Sequence, residues 1–395
     1  MKKIELLAPA GNLEKLKIAI MYGADAVFIG GKQFSLRARA NNFDLEDIIN
    51  GVKFAKKHKA KVYVTMNIVP HDADIINFEK YVKSLEKAKV TGVILTSLSF
   101  AEKIKKIAPK LELHLSTQMS IINSDAVKQF ADFGFSRIVL GRELNVDQIK
   151  DIISKTNTEV EVFIHGGMCA SFSGRCMLSN HMTNRDANRG GCAHSCRWDF
   201  NLYKDKCLVS QNMFNMGSKD LVGISVIEKL INMNVSSLKI EGRMKSIYYI
   251  ATIVRAYRML IDDYYRNKSI SNYEYYINEI MKSETRELAS GFLEHNVTIN
   301  EQYFRPGVTR STKPFVGYVL DYNNITKVAK IEQRNYFEVG DELEFFGPKL
   351  QNMKFVVTKI LNEDKEEINK ANHAQQIIYL NVPFRLRKHD MIRKL

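Results

Sequence analysis

Four of the chain's five cysteines fall in one glycine-rich stretch, VFIHGGMCASFSGRCMLSNHMTNRDANRGGCAHSCRW, from Val162 to Trp198. Cys169, Cys176, Cys192 and Cys196 follow the spacing C-x6-C-x15-C-x3-C, and Cys207 lies beyond them. In a reducing compartment a local cysteine cluster is more often a metal or redox site than a disulfide framework. Zinc knuckles favour close cysteine pairs, and only Cys192 and Cys196 stand that close. Iron–sulfur clusters accept wider spacing because each thiolate takes a different iron. Gly166, Gly167, Gly174, Gly190 and Gly191 would let backbone N–H groups approach sulfide. Arg175, Arg185, Arg189 and Arg197 would offset thiolate charge, and Asp186 is the one acid in the stretch. The pattern points to a metal or cluster site, iron–sulfur ahead of zinc. Some of these thiols could instead be small buried hydrophobes, and Cys207 suits that reading best.

Such a loop needs a scaffold, and residues 1–245 supply a rhythm for one. Short β-branched runs at Ile4–Ala8, Ala26–Gly30, Val62–Asn67, Gly92–Thr96, Leu111–Leu115, Arg137–Gly141, Val160–Ile164 and Ser237–Glu241 alternate with helix-period segments. Among the latter are Leu13–Tyr22, Leu45–His58, Phe78–Ala88 and Val146–Ser154. Eight strand–helix units predict a parallel, TIM-like (β/α) barrel, with an open doubly wound sheet as the alternative. The residues that follow the strands would then share the C-terminal rim, where barrel active sites form. The cysteine-rich loop 165–200 is the longest excursion from that rim.

The rim carries further chemistry. His114 lies in strand five and Gln118 just past it; Arg142 and Glu143 follow strand six. Lys239, Glu241, Arg243 and Lys245 line strand eight and its exit. Lys239 and Glu241 share a strand face, inside a barrel if one forms, where charges survive when paired or in a site. They read as an anion or substrate site, or as a structural ion pair. Arginine there could grip a carboxylate by bidentate hydrogen bonds. No G-x-G-x-x-G or P-loop pattern occurs, so no nucleotide cofactor is expected.

Residues 246–304 read as a helical extension, with Ser246–Arg266 as one long helix and Tyr273–Met281 as another. The tyrosines at 248, 249, 257, 264 and 265 suit helix packing better than base stacking. Residues 305–395 read as a small all-β, barrel-like domain with strands in VGYVLDY, KVAKIEQ, DELEFFG, KFVVTKI and QIIYLNV.

Hydrophobic residues make up 45% and charged residues 26%, the balance of a globular chain with a sizeable core. No run is long enough to span a membrane, and MKKIELLAPAG lacks a leader's apolar core, so a cytoplasmic protein is expected. The net charge of +14 suits a polyanion such as RNA. Proteolysis would need an activated nucleophile or a metal-bound water, yet there is no H-E-x-x-H and no G-x-S-x-G. A cysteine paired with His165, His181 or His194 would leave three cysteines unexplained.

The stretch EVFIHGGMCASFSGRCMLS resembles the signature of the collagenase-like peptidase family, the unassigned-type family thirty-two. The resemblance continues through NRGGCAHSCRW, SKDL, SLKIEGRMKS, ELLAPAGNLEKL, Phe34–Phe43, HLSTQ, GREL and VGDELEFFGP, almost the whole chain. It implies an iron–sulfur protein that hydroxylates without using molecular oxygen as the oxygen donor. The branch most similar, by NMFNMGSKDL and the appended β-domain, converts the wobble uridine of tRNA to 5-hydroxyuridine, with prephenate the implied donor. Siblings hydroxylate a ribosomal RNA cytidine or, as a pair of proteins, ubiquinone precursors, so a related partner protein is a further expectation. Carried over, Cys169, Cys176, Cys192 and Cys196 hold a 4Fe-4S cluster, with Cys207 or a non-cysteine ligand as the alternative fourth. His114, Gln118, Arg142, Glu143, Glu241 and Arg243 are the candidate catalytic residues. The rival readings are a collagenase-like peptidase and a non-catalytic RNA-binding protein with structural zinc.

Overall fold

The computed structural model describes residues 3–36, 42–209, 213–303 and 311–395. Parts of the quoted stretches at 37–41, 212 and 305–310 lie outside the described residues, as does the predicted boundary between 304 and 305.

The eight predicted strands form and close. β1 (Glu5–Pro9), β2 (Ala26–Gly30), β3 (Lys61–Met66), β4 (Gly92–Leu95), β5 (Glu112–Leu115), β6 (Arg137–Val139) and β7 (Glu159–Gly166) pair in parallel in chain order. β8 (Ser237–Ile240) pairs in parallel with both β7 and β1, which makes the sheet a barrel. Outside it lie α1 (Leu13–Met21), α2 (Leu45–Lys57), α3 (Phe78–Lys87), α4 (Leu98–Ile107), α5 (Ser124–Asp132) and α6 (Val146–Ser154). Five of these helices start at a side chain that accepts an N–H of the first turn: Asn12, Asp44, Ser97, Asn123 and Asn145. Each such cap contributes about 1 kcal/mol and fixes where the chain turns from rim to helix.

The barrel interior divides into two kinds of packing. Leu7, Ala26, Phe28, Tyr63 and Ile94 fill one side. The other side is ionic. Lys239 Nζ stands 2.6 Å from Glu161 Oε1, and Arg137 bridges Glu161 at 3.3 Å, Glu159 at 2.8 Å and Glu5 at 2.6 Å. These charges run from the rim toward the opposite mouth. They survive burial because each is paired.

Between β7 and β8 the chain makes its long excursion, with α7 (Leu178–Thr183) inside it. A short strand, Asp220–Val222, returns antiparallel to the end of β7, and α8 (Ile227–Asn232) leads into β8. Then come α9 (Ile247–Asn267) and α10 (Tyr273–Met281), as predicted. Tyr248, Tyr249, Tyr257 and Tyr264 of α9 are buried, so the tyrosine stripe is packing.

The C-terminal unit is an antiparallel sheet around its own core. Its strands are β9 (Phe315–Tyr322), β10 (Val328–Gln333), β11 (Glu342–Gly347), β12 (Leu350–Val356), β13 (Ile377–Asn381) and β14 (Met391–Lys394), with short pieces at Ile360–Leu361 and Glu367–Ile368. Among the described residues no pairing joins its two edge strands, so the sheet is open where a barrel-like closure is predicted. The unit docks on α9 and α10. Arg393, fully buried, bonds Glu279 at 2.9 Å and Glu344 at 2.5 Å, and Tyr248 stacks on Phe315. Among the described residues no helix is long and apolar enough to cross a membrane.

One buried acid in this interface is under strain. Burial pushes the Asp390 carboxyl up to about 6, although the Arg387 N–H and the charges of Arg387 and Arg255 pull the other way. The folded chain therefore binds a proton that the unfolded chain releases between the ordinary aspartate value and about 6. Stability from this group is highest at low pH and falls as pH rises through that window. Asp390→Asn keeps an acceptor for the Arg387 N–H, which is bonded at 2.8 Å. We expect the variant to melt above the parent at pH 8, with the difference vanishing near pH 4, in paired thermal scans.

Candidate functional site

A cavity of about 370 Å3 opens at the C-terminal mouth of the barrel. That is within the roughly 300–1,000 Å3 of small-molecule sites. Its floor is the last inward residue of several strands, and its roof is the cysteine excursion. Cys169, Cys176, Cys192 and Cys196 all line it. So do Gln118, Arg142, Glu143, Glu241 and Arg243, five of the six candidate catalytic residues. His114 does not. It is buried one layer below, its ring against Tyr63 and its Nε2 3.2 Å from Glu112. Burial pushes its imidazole down, which keeps it neutral. Cys207 also stands away, exposed on a hairpin.

Each rim residue has a local reason for its place. Arg142 follows β6, stands over the Phe163 ring at 3.8 Å and donates to the Gly167 carbonyl at 2.6 Å. Glu143 accepts from the Ser173 N–H at 2.5 Å and its hydroxyl at 2.6 Å, which pins the turn between Cys169 and Cys176. Arg243 is buried and donates to Ser35, Thr65, Asn42 and the Leu36 carbonyl, tying the exits of β2, β3 and β8 together. A Cβ on Gly30 would come within 2.4 Å of its guanidinium and 2.5 Å of the Ser35 hydroxyl, so a larger residue there would displace this network. Lys239 reaches the cavity between Phe28 and Phe163, 4.6 and 5.2 Å from the ring centres. It is both of the things the sequence allows: half of an ion pair and a cation at the cavity floor.

Sequence reasoning missed Glu161 and the partners of two residues it had named, Asn67 and Arg189. Asn67 donates to Gln118 Oε1 at 3.1 Å, forming an amide pair in the wall. Glu161 holds Lys239. Arg189 clasps Asp74 (Nη2 to Oδ1 3.0 Å) and the Val69 carbonyl, latching the roof to the loop after β3. Glu159 and Glu161 at period two inside a barrel strand were the available signal for Glu161. The other two pair residues more than 50 positions apart.

The four thiols share an electrostatic environment. Burial pushes the Cys196 thiol up; Arg197 offsets this in part, and the thiolates of Cys169, Cys192 and Cys176 add to it. The Leu178 N–H donates to Cys176 Sγ at 3.4 Å, and the Ser179 hydroxyl reaches Cys192 Sγ at 4.0 Å. Arg185 holds the Cys192 carbonyl at 3.3 Å, and Arg197 holds the Met168 carbonyl at 3.2 Å. Among the described residues, no three His, Cys, Asp or Glu side chains stand close enough to hold one metal ion. One tetrahedral zinc bonds each thiolate at about 2.3 Å and so needs the four sulfurs drawn to one point. The four cysteines that line the cavity are the residues that would hold a metal ion or a cluster there. Among the described residues no histidine lines the cavity. His165 is held by Glu284 at 2.9 Å and by the Tyr257 hydroxyl at 3.3 Å, and cannot also serve a cysteine nucleophile.

Comparison with known proteins adds a second line. Residues 11–303 match peptidase family U32, and residues 311–393 match the peptidase family U32 C-terminal domain. The chain is 45% identical to tRNA hydroxylation protein P1 of Bacillus subtilis, over 100% of this chain and 95% of that one. It is 38% identical to the 23S rRNA 5-hydroxycytidine C2501 synthase of Escherichia coli, over 66% of this chain and 39% of that one. It is 31% identical to a collagenase of Porphyromonas gingivalis, over 94% of this chain and 93% of that one.

Proposed function

Since the chain belongs to peptidase family U32, we propose that it is a tRNA hydroxylase that forms 5-hydroxyuridine at the wobble position, using a 4Fe-4S cluster on Cys169, Cys176, Cys192 and Cys196. The observation that carries the reading is the convergence of all four cysteines with Gln118, Arg142, Glu143, Glu241 and Arg243 on one barrel-mouth cavity. The relatives named for tRNA and rRNA hydroxylation support the reaction class.

The chain's own residues account for several requirements. A cavity this size takes one base rather than a duplex, so the uridine must leave its stack to enter. The Asn67–Gln118 amide pair offers hydrogen bonds to a pyrimidine edge. Phe28 and Phe163 give the base an apolar wall. Converting C5–H to C5–OH is a two-electron oxidation, so the oxygen donor must leave reduced or fragmented. Prephenate, a carboxylate, is the donor that fits the cations Arg142 and Lys239 at the floor. A bound cluster supplies electron transfer beside that pair. The glutamate clasp on Ser173 and the Arg189–Asp74 latch keep the roof closed over the chemistry and limit water. The peptidase reading, which uses one cysteine nucleophile, leaves the other three cavity cysteines without a role.

The test is mass spectrometry of tRNA nucleosides from a deletion strain. Loss of the 5-hydroxyuridine family, restored by this gene but not in cells unable to make prephenate, is the expected result. An unchanged nucleoside profile would reject the assignment.

A further inference from the structure

The roof carries a feature that its cavity-facing side does not explain. Among the described residues, Cys196–Val209 and Met213–Met216 run outward and back as a two-stranded ribbon. The Met216 N–H bonds the Cys196 carbonyl at 2.8 Å, Phe200 and Phe214 exchange bonds at 2.7 and 2.9 Å, and the Val209 N–H bonds the Leu202 carbonyl at 2.9 Å. Tyr203 then pairs with Leu208, and Lys204 with Cys207. Asp205 and Lys206, at φ 49° and 67°, close the tip in the left-handed conformation of a two-residue hairpin turn.

The ribbon carries exposed apolar residues on both faces, joined on one of them by Lys204. Tyr203 and Leu208 share one face and are 59% and 55% exposed; Leu202 and Val209 share the other at 52% and 50%. A two-stranded ribbon in water is marginal without a covering surface. Its charges point to the cover. Lys204 and Lys206 are exposed and make no ion pair among the described residues. From Cys169 to Val209 there are six Lys and Arg against three Asp. The same roof exposes Phe172 and Met177 on either side of the exposed Arg175. Aromatic side chains interleaved with cations are what unpaired nucleotides bind, through base stacking and phosphate contacts.

We infer that the described ribbon residues, Cys196–Val209 and Met213–Met216, are a docking arm for single-stranded RNA, with bases on Tyr203 and its apolar neighbours and phosphates on Lys204 and Lys206. The ribbon's root lies at the cavity, because Cys196 and Met216 both line it. A loop held on the arm therefore sits beside the mouth that must take its base. This rests on the hydroxylase reading and adds the surface that delivers the substrate.

The experiment measures binding of an unmodified tRNA transcript to the full-length protein by fluorescence anisotropy across a salt series. The variants are Lys204→Glu with Lys206→Glu, Tyr203→Ala, and Lys359→Glu in the C-terminal unit as a control. Tip and ribbon side chains are exposed, so unchanged melting curves will confirm folding. We expect the double charge reversal to weaken binding about tenfold or more and to reduce the salt slope by about one to two. Tyr203→Ala should weaken it about tenfold with little change in slope. The control should bind like the parent. A parent that binds while the ribbon variants bind equally well would overturn the docking arm alone and leave the ribbon to a protein partner. A parent that does not bind tRNA at all would overturn the hydroxylase reading and the arm with it.

Discussion

Cys176→Ala, expressed in a deletion strain, should lower hydroxylated uridine in tRNA by about a hundredfold or more, a larger loss than trimming an outer partner of a metal site gives. The residue is half-buried, lines the cavity, and is tied on both sides of its peptide to Asn188 by bonds of 3.2 and 3.1 Å. Its backbone is thus fixed independently of its sulfur, and the substitution should leave the fold intact. Cys169→Ala should behave alike. Cys196→Ala and Cys207→Ala decide the fourth ligand. Cys196 lines the cavity beside the other three, whereas Cys207 is exposed on the ribbon. Loss of the modified nucleoside with Cys196→Ala and its retention with Cys207→Ala is the expected pair of outcomes, read by nucleoside mass spectrometry.

Glu161→Ala should destabilise the barrel by about 3–5 kcal/mol, the cost of leaving a buried partner uncompensated. Burial works to raise the Glu161 carboxyl, and Lys239 and Arg137 overcome it, holding the group below the ordinary carboxylate range. A depressed carboxyl contributes stability that is present at neutral pH and lost as pH falls through its folded value. Glu161→Ala should therefore melt well below the parent at pH 7, with the gap narrowing in acid. Arg137 keeps Glu5 and Glu159, but Lys239 loses its partner. Adding Lys239→Met removes the stranded ammonium and should recover most of the lost stability. It should not recover hydroxylation, because Lys239 lines the cavity. Thermal unfolding and nucleoside analysis of the same three proteins separate the structural part of the pair from the functional one.

The barrel was legible because parallel strands buried on both faces read as β-branched runs, and all eight recur where those runs stand. The C-terminal unit was less legible for two physical reasons. The strand expected at Lys354–Ile360 instead runs Leu350–Val356, an edge strand whose side chains are mostly half-exposed, so no apolar alternation marks it. Met391–Lys394 carries the buried Arg393, whose partners Glu279 and Glu344 come from distant segments, and its charge hides a core strand. At the site, rare residue types carried the signal. The cysteines stand out in a chain that has only five. His114 shows what spacing cannot give: its height in the barrel is set by register with β4 and β6, which leaves it below the floor. Gln118, four residues on, is at the floor.

The most direct test of the central claim is iron, zinc and acid-labile sulfide content with a visible spectrum, on protein purified without oxygen. The account predicts about four irons and four sulfides per chain, with broad visible absorbance that disappears in Cys169→Ala and Cys176→Ala. Well-folded protein that takes up neither iron nor sulfide on reconstitution, or that holds one zinc and is colourless, would contradict it.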